Sequence, residues 1–423
     1  MLKKITALLL AVLISASLAA CNITTTESEE QTTSQSTSTV QTEQQGKVTT
    51  DSLTKSENDS AGSTTVANTT SNGAIDTNDM FTKRDLQQTA DTSDAEYYTV
   101  SDGKDISITS EGVYVISGTA SNVTVTVDAD DEDKVQIVLD GVSVTNSDFP
   151  VIYVKNADKV FITTTASENT LSVTGTFSAD GDTSTDAVIF SRDDIVLNGV
   201  GTLTINSTDN GISCKDDLKV TGGTIVINCA SDALEANDSI AVSSGNITVT
   251  TQKDGMHAEN DEDNSTGYVY ICGGTLNITA KDDGIHATTV VQIDDGNITI
   301  KGAEGIEGTY VQINGGTIDI SASDDGINGA RKSSAYTTTV EFNGGYTTIV
   351  MGAGDTDGVD SNGNLYINGG TVDVTGQSTF DYDGTAQYNG GTIIVNGTQT
   401  NSIPNQMMGG GFGGRGGFGG RHG

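Results

Sequence analysis

One phrase with acidic chemistry recurs through the second half of the 423-residue sequence. It reads Asp209-Asn210-Gly211-Ile212, Asp232-Ala233-Leu234, Asp254-Gly255-Met256, Asp282-Asp283-Gly284-Ile285 and Glu304-Gly305-Ile306. Asp324-Asp325-Gly326-Ile327, Asp357-Gly358-Val359 and Asp383-Gly384 continue it. The residue after the apolar one is again polar: Glu235, His257, His286, Glu307, Asn328 and Asp360. If the phrases stack, these residues form two rows along one edge, with neighbours ~4.8 Å apart. Two ionised carboxylates ~5 Å apart repel by about 3 kcal/mol at an effective dielectric near 20. Such a row needs full solvation or a counter-cation. Ca²⁺ takes about six to eight oxygens from carboxylates, carbonyls and Asn side chains, and this edge supplies all three. Asp-Gly is also a favoured turn, which accounts for the glycines and part of the acids. It gives no reason for the second row. The expected ligands of a Ca²⁺ cofactor are Asp254, Asp282, Asp283, Glu304, Glu307, Asp324, Asp325, Asp357 and Asp360. Glu259, Asp261 and Asp263 join them from an insertion beside the edge. No segment has the spacing of an EF-hand loop. His257 and His286 occupy equivalent places in adjacent phrases, a donor set that also suits a transition metal. A polar row that hydrogen-bonds saccharide or water is the preferred reading of the pair.

The elements that position these residues follow from a second phrase. Leu197-Asn198-Gly199-Val200-Gly201-Thr202 opens a series continued by Val220-Thr221-Gly222-Gly223-Thr224 and Ile313-Asn314-Gly315-Gly316-Thr317. The residue after the glycines falls at 202, 224, 246, 275, 297, 317, about 346, 371 and 392. Most steps are 20–22 residues, and the steps of 29 carry insertions at 260–266 and 331–338. Apolar residues alternate on both sides of each glycine turn, so each side is a short strand with one buried face. A unit of ~22 residues cannot bury its own face, but stacked copies can. Leu is too scarce for a leucine-rich horseshoe, and propeller blades need ~40 residues. The expected fold is all-β, a single right-handed parallel β-helix, a solenoid of ~22 residues per coil.

The ends read differently. Lys3 and Lys4, an apolar run, and Leu18-Ala19-Ala20-Cys21 form an export signal over residues 1–21, too short to span a membrane. Residues 22–80 are Ser, Thr and Gln rich and read as a disordered tether. Residues 81–397 form the β-helix, with a cap and irregular coils over 81–190 and regular coils over 191–397. The cap is expected over Phe81–Tyr98. A Gly-rich flexible tail fills 398–423. The net charge of −37 excludes nucleic acid as a partner, and a monomer is expected. Cys214, Cys229 and Cys272 show no framework spacing and read as small buried residues.

The Gly-Gly-Thr and Asp-Gly-Ile phrases, the closing tetrapeptide at Cys21 with its Ser/Thr tether, and Asp133–Val142 resemble bacterial carbohydrate-binding lipoproteins with a pectate-lyase-like parallel β-helix. The resemblance covers about residues 81–397. It implies a lipidated Cys21 and display on the outer face of the cell membrane. It also implies Ca²⁺ sites and binding of acidic plant polysaccharide such as polygalacturonate or pectin, with cellulose a further partner. His257, His286, Lys253, Lys281, Asn328 and Tyr310 are then the expected carbohydrate contacts. Cellulose is gripped by aromatic faces, and the chain has no Trp. Tyr268, Tyr270, Tyr310, Tyr336, Tyr346 and Tyr366 serve only if they line one face. A Ca²⁺-dependent lyase stays open as an alternative, with Lys215, Lys253, Lys281 and Lys301 as candidate bases. Surrounding carboxylates raise a lysine pKa, which weighs against such a base. An adhesive or wall-structural role is the third reading.

Overall fold

The computed structural model describes residues 74–260, 262–353 and 356–405. The lipidation residue Cys21, Asp261 and the tail from 406 lie outside them. The described chain is all-β, and no helix in it is long and apolar enough to cross a membrane. Three parallel ladders run its length, so successive coils stack as a β-helix-like solenoid. The residues after the glycine turns share one register: Thr202↔Thr224↔Asn246↔Thr275↔Asn297↔Thr317↔Tyr346↔Thr371↔Thr392. The sequence period is therefore the coil. The insertions leave this register intact and bulge outward.

Alternation sends one apolar set inward from each ladder. Leu203, Ile225, Ile247, Leu276, Ile298, Ile318, Val372 and Ile393 form one buried column of a core that runs through the solenoid. Each such side chain contributes about 1.5–3 kcal/mol by burial. The turn glycines answer two different needs. Gly316, second of its pair, has φ +84°, which favours glycine. Gly284 of Asp-Gly-Ile does not have positive φ. A Cβ there would lie 2.2 Å from Ile300 Cγ2 and 2.6 Å from the Gly305 carbonyl oxygen. The Asp-Gly glycine is therefore set by space and not by the turn conformation inferred from sequence.

Three boundaries differ from the sequence reading. Residues 74–80, assigned there to the tether, lie against the solenoid flank. The Ala74 and Ile75 amides donate to Gln312 and Gln292, and Met80 is buried with Ala241, Tyr270 and Cys272. The strap continues over Asn198, where Nδ2 donates to the Asp85 carbonyl, and Arg84 sits 4.4 Å over the Phe161 ring. Residues 81–88 thus cover the flank rather than the first coil. Only Glu96–Thr99 adds a rung at that end, pairing with Tyr114–Ser117. At the other end Thr398–Thr400, assigned to the tail, pairs antiparallel with Ile393–Val395. Asn396 and Gly397 make the turn with φ +50° and +74°, the left-handed pair a two-residue hairpin needs.

Candidate functional site

The acidic edge exists as two rows. The second row is one register: Ser213, Glu235, His257, His286, Glu307, Asn328, Asp360 and Asp381. The first row supplies acids with a backbone duty. Asp232 Oδ1 accepts the Asp254 amide at 3.0 Å, and Asp254 Oδ1 accepts the Asp283 amide at 2.9 Å. Asp325 Oδ1 accepts the Asp357 amide at 3.0 Å. One carboxylate oxygen in each thus ties its coil to the next. The other oxygen faces the second row.

Along the first half of the edge, basic side chains meet that second oxygen. Lys253 Nζ lies 2.8 Å from Asp232, and Lys215 lies 3.4 Å from Glu235. His257 is held by Asp254 at 2.7 Å and by Glu259 at 3.0 Å. His286 Nδ1 lies 2.9 Å from Asp283 and 3.0 Å from Glu307. Lys332 reaches in from the 331–338 insertion to Glu307 at 2.8 Å. Burial opposes a charged His286, but hydrogen bonds and charge from Asp283 and Glu307 outweigh it and push the imidazole up to about 10. Burial also opposes the Glu307 carboxylate, but His286 and Lys332 hold it below the usual range. Lys253 is held protonated by Asp232 against its own desolvation, which removes it as a base.

The two imidazoles stack with centroids 4.7 Å apart and planes 2° apart. Parallel rings aim their nitrogens in parallel, so they do not converge on one ion. Donor atoms of Asp254, His257 and His286, and of Asp283, His286 and Glu307, do lie within 4.8 Å of one another. Those atoms already neutralise each other. Asp254 and Asp283 group with the exposed Asp282 in the same way, but both are engaged by histidine.

The second half of the edge is different. Glu304, Asp325 and Asp360 make no ion pair among the described residues. Burial, then the charges of Glu307 and Asp283, push Glu304 up to about 8. Burial and neighbouring acids raise Asp325 to about 6 and Asp360 to about 7. Asn328 sits between them. Its Nδ2 donates to Glu304 at 3.1 Å and Glu307 at 3.3 Å, while its buried Oδ1 has no partner. An orphaned carbonyl beside mutually repelling carboxylates is an all-oxygen donor set, which fits a hard cation such as Ca²⁺. Asp357 carries the Ser378 hydroxyl, and Asp324 is exposed on the adjoining turn.

Other expected residues are elsewhere. Asp263 turns Oδ1 back on the Ser265 amide, 2.9 Å away, within its own loop. Tyr310 lies on the neighbouring ladder with its hydroxyl on Glu341. Lys281 is exposed on a groove past the edge. Tyr268, Tyr270, Tyr310 and Tyr366 lie on one flank ladder, but the six tyrosines do not all share a face. Tyr270 and Tyr366 occupy one flank row, but the strap covers Tyr270, and Tyr346 sits on another ladder. Lys332 was missed from sequence; its position in an insertion flanking the edge was the available signal. Asn264 of the first insertion hydrogen-bonds Ser334 of the second at 3.2 Å, which fixes that placement.

Comparison with known proteins places the chain in a family. The chain is 38% identical over 124 residues to a carbohydrate-binding domain-containing protein of Acetivibrio thermocellus, over 28% of this chain and 43% of that protein. It therefore spans less than half the length of that curated relative. A solved structure described as a polysaccharide lyase-like protein from C. thermocellum, gadolinium derivative, is 33% identical with a TM-score of 0.45. That match covers 53% of this chain and 93% of the other. The sequence model of the carbohydrate-binding domain-containing proteins matches residues 102–358, more than half of the chain, and the chain belongs to that family.

Proposed function

We propose that this carbohydrate-binding protein holds an acidic polysaccharide, such as polygalacturonate, through Ca²⁺ on the second half of its edge. The observation that carries the reading is that Glu304, Asp325 and Asp360 lie on neighbouring coils with no ion pair among the described residues, beside Asn328, whose Oδ1 is buried without a partner. An acidic surface repels an acidic polymer unless a cation lies between them. Ca²⁺ there would be bound by Glu304, Asp325, Asn328 and Asp360, and would leave coordination positions for uronate oxygens. Repeated coils present further polar positions along the axis, so contacts to successive sugars add as avidity. The scaffold is read as one right-handed parallel β-helix. It is held at the outer face of the cell membrane by lipid on Cys21.

Calorimetry with polygalacturonate, in Ca²⁺ and in chelator, tests the binding. Affinity should fall in chelator, and unchanged binding in chelator overturns bridging. Rising ultraviolet absorbance from unsaturated uronide would show a lyase instead. Incorporation of labelled fatty acid that survives Cys21→Ala would overturn the anchor. Left-handed coils in a crystal structure would overturn the handedness.

A further inference from the structure

Past the acidic edge, a groove of about 400 Å³ opens on the outer surface between two ladders. Its lining includes Lys281 and Lys301, the exposed Val350, and Ala322 and Met351, which are mostly buried in the core. No acidic residue lines it, in a chain with 57 acids and 20 basic residues. Seven other lysines sit in ion pairs, namely Lys134, Lys155, Lys159, Lys215, Lys219, Lys253 and Lys332. Lys281 and Lys301 make none among the described residues. Val350 is 45% exposed, one of few large apolar side chains open to water here. Lys301, Ser321 and Val350 hold the same position in three successive coils. The groove therefore runs along the solenoid axis, one coil every ~4.8 Å.

Ammonium groups without an ion pair beside an exposed apolar side chain match a ligand with a carboxylate on one side and a C–H face on the other. A pyranuronate ring has both. We propose that this groove is a subsite for one uronate unit, its carboxylate held by Lys281 and Lys301 and its C–H face on Val350 and Met351. The inference rests on the acidic-polysaccharide reading, but it needs no cation. It extends the binding surface from the edge to the flank, where the protein supplies positive charge itself.

The test is calorimetry of the folded chain with a galacturonate trisaccharide, in Ca²⁺ and in chelator. The neutral galactose trisaccharide serves as control. Lys281→Gln with Lys301→Gln should weaken uronate binding by about tenfold per lysine, equally in both buffers. Lys281→Arg with Lys301→Arg should restore most of it, and a Ca²⁺ titration should be unchanged. If the Gln variant binds as wild type and chelator abolishes binding, the edge acts alone and the groove is refuted. If the Gln variant loses binding and chelator has no effect, the groove stands and Ca²⁺ bridging falls. Equal affinity for the neutral trisaccharide refutes the groove. No uronate binding in either buffer refutes both.

Discussion

Replacing Gly284 by Ala separates two reasons for a glycine in the Asp-Gly-Ile phrase. Its φ is not positive, so the backbone accepts alanine. On conformational grounds alone the change stabilises by about 0.4–1 kcal/mol, because it restricts the unfolded chain. Packing gives the opposite sign. The new Cβ would sit 2.2 Å from Ile300 Cγ2 and 2.6 Å from the Gly305 carbonyl oxygen. Overpacking costs about 1–3 kcal/mol. That carbonyl also accepts the Ile285 amide at 3.1 Å, so its retreat weakens a ladder bond worth about 1 kcal/mol. The net expectation is a loss of about 2 kcal/mol. With no Trp in the chain, urea unfolding is followed by far-ultraviolet circular dichroism. The midpoint should fall with the m-value unchanged. Gly308→Ala is the control: its Cβ would meet only Val291 Cγ2 at 3.3 Å and no backbone atom closer than 3.5 Å, so it should be near neutral. A Gly284→Ala protein as stable as wild type, or more so, would refute the packing argument.

Three more outcomes are expected. His286 has its pKa raised from 6.5 to about 10, so its charged form adds stability that is full below pH 6.5. That stability is lost as pH rises towards 10, and His286→Ala should flatten this alkaline loss in melts across the range; an unchanged slope counts against it. Ca²⁺ at a hundredfold over its Kd should stabilise the protein by about 2.7 kcal/mol, and Asn328→Ala should weaken Ca²⁺ at least about tenfold by calorimetry. Equal Ca²⁺ affinity in that variant removes Asn328 as a ligand. Met80→Ala should cost about 2 kcal/mol in urea unfolding, because Met80 packs on Tyr270 and Ala241; no loss would show the strap to be dispensable.

The coil was legible because a stacked repeat turns sequence period directly into register. Thr224 and Asn246 had to pair once their apolar neighbours shared a core. The second row was legible for the same reason, since His257 and His286 occupy one place in adjacent repeats. What each acid does was not legible. Asp254 and Glu304 hold equivalent places, yet one is taken by a backbone amide and an imidazole while the other has only the Asn328 amide and neighbouring acids. That difference depends on side chains from the next coil and from an insertion, which a single phrase does not contain. The strap was hidden because residues 74–80 carry only Ile75 and Met80 as large apolar side chains and dock partly through backbone amides on Gln292 and Gln312. The hairpin turn at Asn396-Gly397 carried a local signal, but its second strand, Thr398–Thr400, lay where a Gly-rich tail was expected.

Pairing, rather than the number of acids, decides where this edge can act on a ligand. In the first half of the edge, Asp232, Asp254, Asp283 and Glu307 each already have a lysine or imidazole partner. That half is therefore fixed, and a polysaccharide carboxylate entering it would displace an internal partner. Beyond Glu307 the coils continue in register through Asn328 and Asp360, with Asn328 where a histidine stood two coils earlier, and Glu304, Asp325 and Asp360 make no ion pair among the described residues. The ladder holds these acids together although they repel, because the core beneath them sets the spacing. Burial, and after it the neighbouring acids, raise the pKa values of Glu304 and Asp360, and a divalent cation bound there would offset both effects. The same register thus holds acids with basic partners on one stretch of the edge and acids without them on the other, and only the second stretch is proposed to take a cation.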